Sequence, residues 1–134
     1  MNKGHIAEQV ALNKCIQMCE GAIDACQMFI DMCSTTSQQE CAQAFGITMR
    51  HCKENIIVCK EVLASMVEHK KQCTQATCTQ VLDELITACQ NCIDTCQECV
   101  TTCHVEQDLC MESCLQVIDA CNECAQVCEK TLEL

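Results

Sequence analysis

Cysteine follows cysteine at helical intervals in this chain. Cys89, Cys92, Cys96, Cys99 and Cys103 run in steps of 3 and 4, and Cys114, Cys121, Cys124 and Cys128 in steps of 7, 3 and 4. Residues so spaced stack over one another on an α-helix, so their thiols line a single stripe. Nineteen of the 134 residues are cysteine, and that stripe is where a helical bundle keeps its core. The chemistry to expect is that of clustered thiols.

Cysteine can serve as a small hydrophobe, but Ala, Val or Leu would fill nineteen core positions without the risk of oxidation. Disulfides within a helix are strained, because residues at i and i+3 or i+4 hold their Cβ atoms about 5–6 Å apart and a disulfide wants about 3.5–4.5 Å. Bridges between helices stay possible. Iron–sulfur clusters need discrete groups of converging cysteines, usually supplied partly by loops. A thioredoxin-like site needs a βαβ setting around its C-x-x-C.

Soft thiolates select Cu(I), zinc or related ions. A tetrahedral zinc site of four thiolates keeps two negative charges, which is unfavourable in a dry bundle. Cu(I) is monovalent and takes two or three sulfurs, so about one ion per thiolate leaves a nearly neutral cluster. The C-x-x-x-C pairs Cys15–Cys19, Cys92–Cys96, Cys99–Cys103, Cys110–Cys114 and Cys124–Cys128 each offer two sulfurs one turn apart for one ion. The C-x-x-C pairs Cys89–Cys92, Cys96–Cys99 and Cys121–Cys124 would share ions across helices. A zinc or cadmium thiolate buffer and an oxidant-scavenging thiol protein are the alternatives.

The elements that must carry these thiols can be read from the same stripes. Leu12, Cys15, Cys19, Ala22 or Ile23, Cys26, Phe29 or Ile30, and Cys33 mark the first helix. Ser34 to Ser37 interrupt it, and Ser37 with Glu40 forms a capping box for the second. That helix continues through Cys41, Phe45, Thr48, Cys52, Ile56, Cys59, Leu63, Met66 and Cys73. Cys78, Leu82 and Leu85 lead into the third, and Cys110, Cys114, Val117, Cys121, Cys124, Cys128 and Leu132 make the fourth after a turn near His104. The expectation is an all-α, antiparallel four-helix bundle with short connecting turns, one domain over 1–134, with helices at about 6–33, 38–72, 78–103 and 106–131. Leu12, Leu63, Met66, Leu82 and Leu85 form an apolar plug at one end. Cys33, Cys41, Cys99, Cys103, Cys110 and Cys114 gather at the other, with Met49, His104 and Met111 nearby.

Composition agrees with long helices: no Pro, Trp or Tyr, three Gly, and Phe29 and Phe45 as the only aromatics. A net charge of −11 without an arginine-rich run argues against nucleic acid as a partner. The polar start from Met1 to Val10 lacks the apolar run of a secretory signal, and no stretch is apolar enough to span a bilayer, so a cytoplasmic protein without a membrane partner is expected. The four His form no motif, and no catalytic constellation is visible, so no enzyme is expected.

With C-x-x-C and C-x-x-x-C repeated over Cys89–Cys103 and Cys110–Cys128, this Cys-lined chain resembles the copper storage proteins over nearly its whole length. Without an export signal it is similar to their cytosolic branch. The resemblance implies a tetramer of four-helix bundles, each storing many Cu(I) ions on core thiolates. It carries the ligand role to Cys15, Cys19, Cys26, Cys33, Cys41, Cys52, Cys59, Cys73, Cys78, Cys89, Cys92, Cys96, Cys99, Cys103, Cys110, Cys114, Cys121, Cys124 and Cys128. It also implies copper access at one bundle end, here the end near His104, which directly follows Cys103 and would ligate an outer copper.

Overall fold

In the computed structural model, four long helices follow one another: α1 (Lys3–Cys33), α2 (Gln38–Gln72), α3 (Ala76–Thr102) and α4 (Gln107–Leu132). The structure describes residues 3–33, 38–102 and 107–133, with 3–7, 33, 38–39, 77 and 107–109 described by their backbone alone. The expected capping residue Ser37, the expected turn at His104, and Cys103 lie outside the described residues. Each helix packs on two neighbours, α1 on α2 and α4, and α3 on α2 and α4. This is the all-α four-helix bundle that the stripes and short connections call for.

The helix bounds match expectation to within a few residues, except that α1 begins at Lys3 and takes in the segment around His5. At 35 residues α2 is the longest helix, about 50 Å by the usual rise. His69, Lys70 and Lys71 stand in its last turn, where positive charge complements the exposed carbonyls. The turn to α3 is closed by two backbone hydrogen bonds, Cys73 N–H to Lys70 O at 3.1 Å and Thr79 N–H to Gln75 O at 3.0 Å. No described helix is long and apolar enough to cross a membrane.

The seam of α2 differs from its expected course. Asn55 and Val62 are fully buried, whereas Ile56 and Leu63 are only half-buried. From Cys52 the inward path runs Asn55, Cys59, Val62 and Met66, alternating steps of 3 and 4. The inward positions are set by helical phase, and a polar residue in phase goes in before an apolar one that is out of phase. Thr48 is tolerated inside because its hydroxyl donates to the carbonyls of Ala44 at 2.9 Å and Ala25 at 3.1 Å. His51 lies half-buried against Gly21, where a Cβ would come within 3.2 Å of its ring.

Leu12, Met66, Leu82 and Leu85 are buried at one end of the bundle and make the apolar plug. Polar contacts join the helices around it: the ion pairs of Lys70 with Asp83 and Lys130 with Glu84, and the hydrogen bond between His69 and Glu8. At the other end Phe29 and Phe45 pack with ring centroids 6.1 Å apart at 56°, a tilted arrangement favoured by the ring quadrupoles. Truncating Leu85, which is fully buried, is expected to destabilise the reduced, metal-free bundle by about 2–5 kcal/mol. Ile57→Ala, at a position 59% exposed, should change stability by under about 0.5 kcal/mol. Urea unfolding of both variants checks this; equal effects would show that the plug is not a load on the fold.

Candidate metal centre

The stripes of all four helices converge on one axis. Of the fifteen free cysteines described, thirteen are buried and two, Cys73 and Cys78, are half-buried. The thirteen have no accessible surface. They form three tiers along the bundle.

Nearest the plug, Cys15 lies 3.9 Å from Cys59 and 3.8 Å from Cys124, and Cys124 lies 3.9 Å from Cys89. Cys128 joins this tier through Cys15 and Cys124. In the middle tier Cys92 and Cys121 are 3.6 Å apart, with Cys19 and Cys96 around the same point. In the upper tier Cys26 interacts with Cys114 and Cys52, and Cys99 is 3.9 Å from Cys114. Two groups have their sulfurs all within 4.8 Å of one another: Cys15, Cys19, Cys59 and Cys124, and Cys19, Cys92 and Cys121. Cys19 belongs to both, so the groups are continuous.

Every sulfur pair within 3.9 Å given above joins two different helices. The closest sulfur contacts are therefore across the bundle, while Cys15 and Cys19 of one C-x-x-x-C pair also lie within 4.8 Å of each other. The reason is geometric. Intrahelical neighbours are held about 5–6 Å apart at Cβ, whereas inward stripes meeting at the axis can approach to van der Waals contact.

One residue at the centre escaped the reading of the cysteine pattern. The Asn55 amide is fully buried among five thiols. Its Nδ2 donates to Cys92 Sγ at 3.2 Å, Cys121 Sγ at 3.3 Å and Cys96 Sγ at 3.7 Å, while its Oδ1 accepts from Cys59 at 3.6 Å and Cys19 at 3.7 Å. The signal was present in the sequence, since Asn55 is three residues after Cys52 and four before Cys59. An N–H donor aimed at sulfur stabilises negative charge on that sulfur.

Four of the expected ligands stand differently. Cys41 and Cys110 are each held in a disulfide, so in this state neither is a thiolate ligand. Both lie near the start of a helix, away from the plug. Cys73 and Cys78 sit at the α2–α3 turn, apart from the column. Cys103 and His104 lie outside the described residues, as does the side chain of Cys33. Met66 is a plug residue and Met49 is buried in the core cluster, while Met111 is half-buried against it.

Thiols this crowded share protons unequally. Cys114 and Cys52 hold the Cys26 thiol down to about 5 by donating to its sulfur, and Cys124, with Cys128, does the same for Cys89, also down to about 5. Their donors move the other way. Cys26 pushes Cys114 up to about 12, Cys114 pushes Cys99 up to about 12, and Cys52, Cys121 and Cys124 are raised by their neighbours and by burial. A metal that takes the whole column must displace the protons those thiols hold.

The pH dependence of the metal-free protein follows. Cys99 and Cys114 are raised from the ordinary 9.0, so their contribution to stability is complete below pH 9 and is lost as pH rises from 9 towards 12. The loss is about 1.4 kcal/mol per pH unit for each such thiol. Cys26 and Cys89 are lowered, so their contribution falls away as pH drops from 9 towards 5. Melting of reduced protein should therefore be highest near pH 9; a melting temperature unchanged between pH 9 and 11 would refute this proton sharing.

No protein-family model, curated protein or solved structure matches this chain.

Proposed function

We propose that this chain is a Cu(I) storage protein, a binding protein rather than an enzyme, whose cargo occupies the column of buried thiolates. The observation that carries this reading is a core of thirteen buried thiols with no cationic side chain among them. The polar residues buried in the described structure are Thr48, Asn55 and Ser113, and none bears a charge. Deprotonated thiolates must then be neutralised by the metal itself. Ions of charge +1 at about one per thiolate achieve this, whereas a zinc tetrathiolate leaves two negative charges in a dry interior.

Continuity between tiers supports the same reading. Cys19 is common to both converging groups, and a two- or three-coordinate ion sharing sulfurs with its neighbours suits a continuous column. The similarity of the cysteine pattern to copper storage proteins points the same way, and with it a tetramer in the cytoplasm. Val10, Ile57 and Leu115 are more than half exposed and offer apolar surface for such an assembly to cover.

One observation favours a second reading, a zinc or cadmium buffer: the sulfurs of Cys15, Cys19, Cys59 and Cys124 converge as a tetrahedral ion requires. An oxidant-scavenging role needs exposed, activated thiols, and thirteen of these are buried.

Anaerobic titration of fully reduced protein with Cu(I), followed by gel filtration with metal and thiol measured on the same fractions, separates these readings. More than about ten coppers co-eluting per chain, with protons released on loading, is the expected result. Saturation near about four ions, with zinc bound as firmly, would instead select the tetrahedral buffer. Asn55→Leu keeps the branched shape and the number of side-chain heavy atoms but removes the donors to Cys92 and Cys121. It should leave the apo bundle helical while weakening retention against a Cu(I) chelator by about tenfold or more, the worth of a hydrogen bond to a charged group. Unchanged retention would show that Asn55 only fills space.

A further inference from the structure

The thiol column leaves the exterior of α2 unexplained. Ile57 stands midway between the buried Asn55 and Cys59, so it lies on the far side of the helix, and it is 59% exposed. Around it the sequence repeats every seven residues. Arg50, Ile57, Ala64 and Lys71 follow one line, with Lys53 and Lys60 flanking it on one side and Glu54 and Glu61 on the other. All eight side chains are exposed. Lys70, Lys71 and Lys130 are held in ion pairs, whereas among the described residues Lys53, Glu54, Lys60 and Glu61 are in none.

A chain of net charge −11 repels its own copies. The repulsion is not uniform. α1 has four carboxylates against two lysines, α3 has four carboxylates and neither Lys nor Arg, and α4 has five carboxylates against Lys130. α2 carries five of the eight Lys and Arg residues against four carboxylates. Of the four described helices it alone is not net negative, so it is the one on which like charge does not oppose contact between two copies. Ile57 and Ala64 give its outer face an apolar line, and Ala64 is small enough to let a second helix come close.

We infer that the outer face of α2 is an interface between two copies of this chain, which pair with their α2 helices parallel about a two-fold axis. The face and its orientation go beyond the tetramer that the resemblance suggests, and the pairing does not depend on the stored ion. Orientation follows from the two flanks. In an antiparallel pair related by a two-fold axis each flank meets the same flank of the copy, so Lys53 and Lys60 would face lysines and Glu54 and Glu61 would face glutamates. In a parallel pair the axis runs along the helices and opposite flanks meet. Lys53 then stands beside Glu54 of the second copy and Lys60 beside Glu61 of the second copy, and the symmetry repeats both pairs. Ile57 packs on its own counterpart, as does Ala64, and charges on both sides of that line set partner and direction.

The test uses full-length, metal-free protein kept reduced, so that neither copper nor a disulfide can join copies, and its outcome leaves the storage reading untouched. At about 100 µM, where a small interface is still populated, the wild type should sediment well above the monomer mass of 14.9 kDa. K53E/K60E has only glutamate on both flanks and E54K/E61K only lysine, so each alone should self-associate about tenfold or more weakly. Mixing the two should restore assembly at the wild-type mass, because every flank then meets its opposite. A monomeric wild type, an unchanged mass for either variant alone, or a mixture that stays dissociated overturns the interface. Should a variant not fold, the wild type decides through carbodiimide cross-linking of mixed ¹⁴N and ¹⁵N copies, read by peptide mass spectrometry. Mixed-isotope links of Lys53 to Glu54 and of Lys60 to Glu61 are expected; links of Lys53 to Glu61 and of Lys60 to Glu54 in their place, or no mixed links on α2, overturn the parallel pair.

Discussion

Thiols can fill the interior of this bundle because a protonated thiol is nearly apolar and a thiolate is not. Protonated, the thirteen buried cysteines pack as small hydrophobes beside Leu85, Val62 and Val117. Deprotonated, the same side chains would place many negative charges where no Lys, Arg or His of the described structure is buried to meet them. Apart from Cys26 and Cys89, whose sulfurs are held low by neighbouring thiol donors, the interior therefore has two low-energy conditions: protons on sulfur, or cations on sulfur in matching number. Storage follows from exchanging one for the other. The charged side chains of the described structure are carried elsewhere, outside the buried core.

The column is not uniform, and its differences follow from what lies beside each tier. The middle tier has the Asn55 amide, the one polar side chain that reaches five sulfurs and supplies N–H donors to three of them. The lower tier abuts the plug of Leu12, Met66, Leu82 and Leu85, which closes that end of the store with aliphatic surface. Beyond the plug the environment is polar again, with the Glu8–His69 pair and the half-buried Cys73 and Cys78. At the opposite end the helices begin with cysteines in disulfides, Cys41 and Cys110. The redox state of that end is therefore distinct from that of the column.

Much of this was legible in the order of residues. The 3 and 4 steps placed Cys15, Cys19 and Cys26 on the inner face of α1, and Cys89 through Cys99 on that of α3, because helical phase is fixed by backbone geometry and needs no partner. Short polar breaks gave the helix ends to within a few residues for the same local reason. Asn55 shows where pattern reading by residue type fails. Its phase is correct for burial, whereas the apolar neighbour Ile56 is turned aside by its own position on the helix.

By itself the sequence determined the fold class, the count of helices, the faces that turn inward and the sulfur-rich character of the core, since each follows from local periodicity and side-chain type. Only the tertiary structure decided which sulfurs meet. The pairing of Cys15 with Cys59 and Cys124, of Cys92 with Cys121, and of Cys99 with Cys114 depends on the relative height and rotation of separate helices. Those quantities are set by how whole side-chain layers interlock, the plug and the Phe29–Phe45 contact included, and no interval within one helix encodes them.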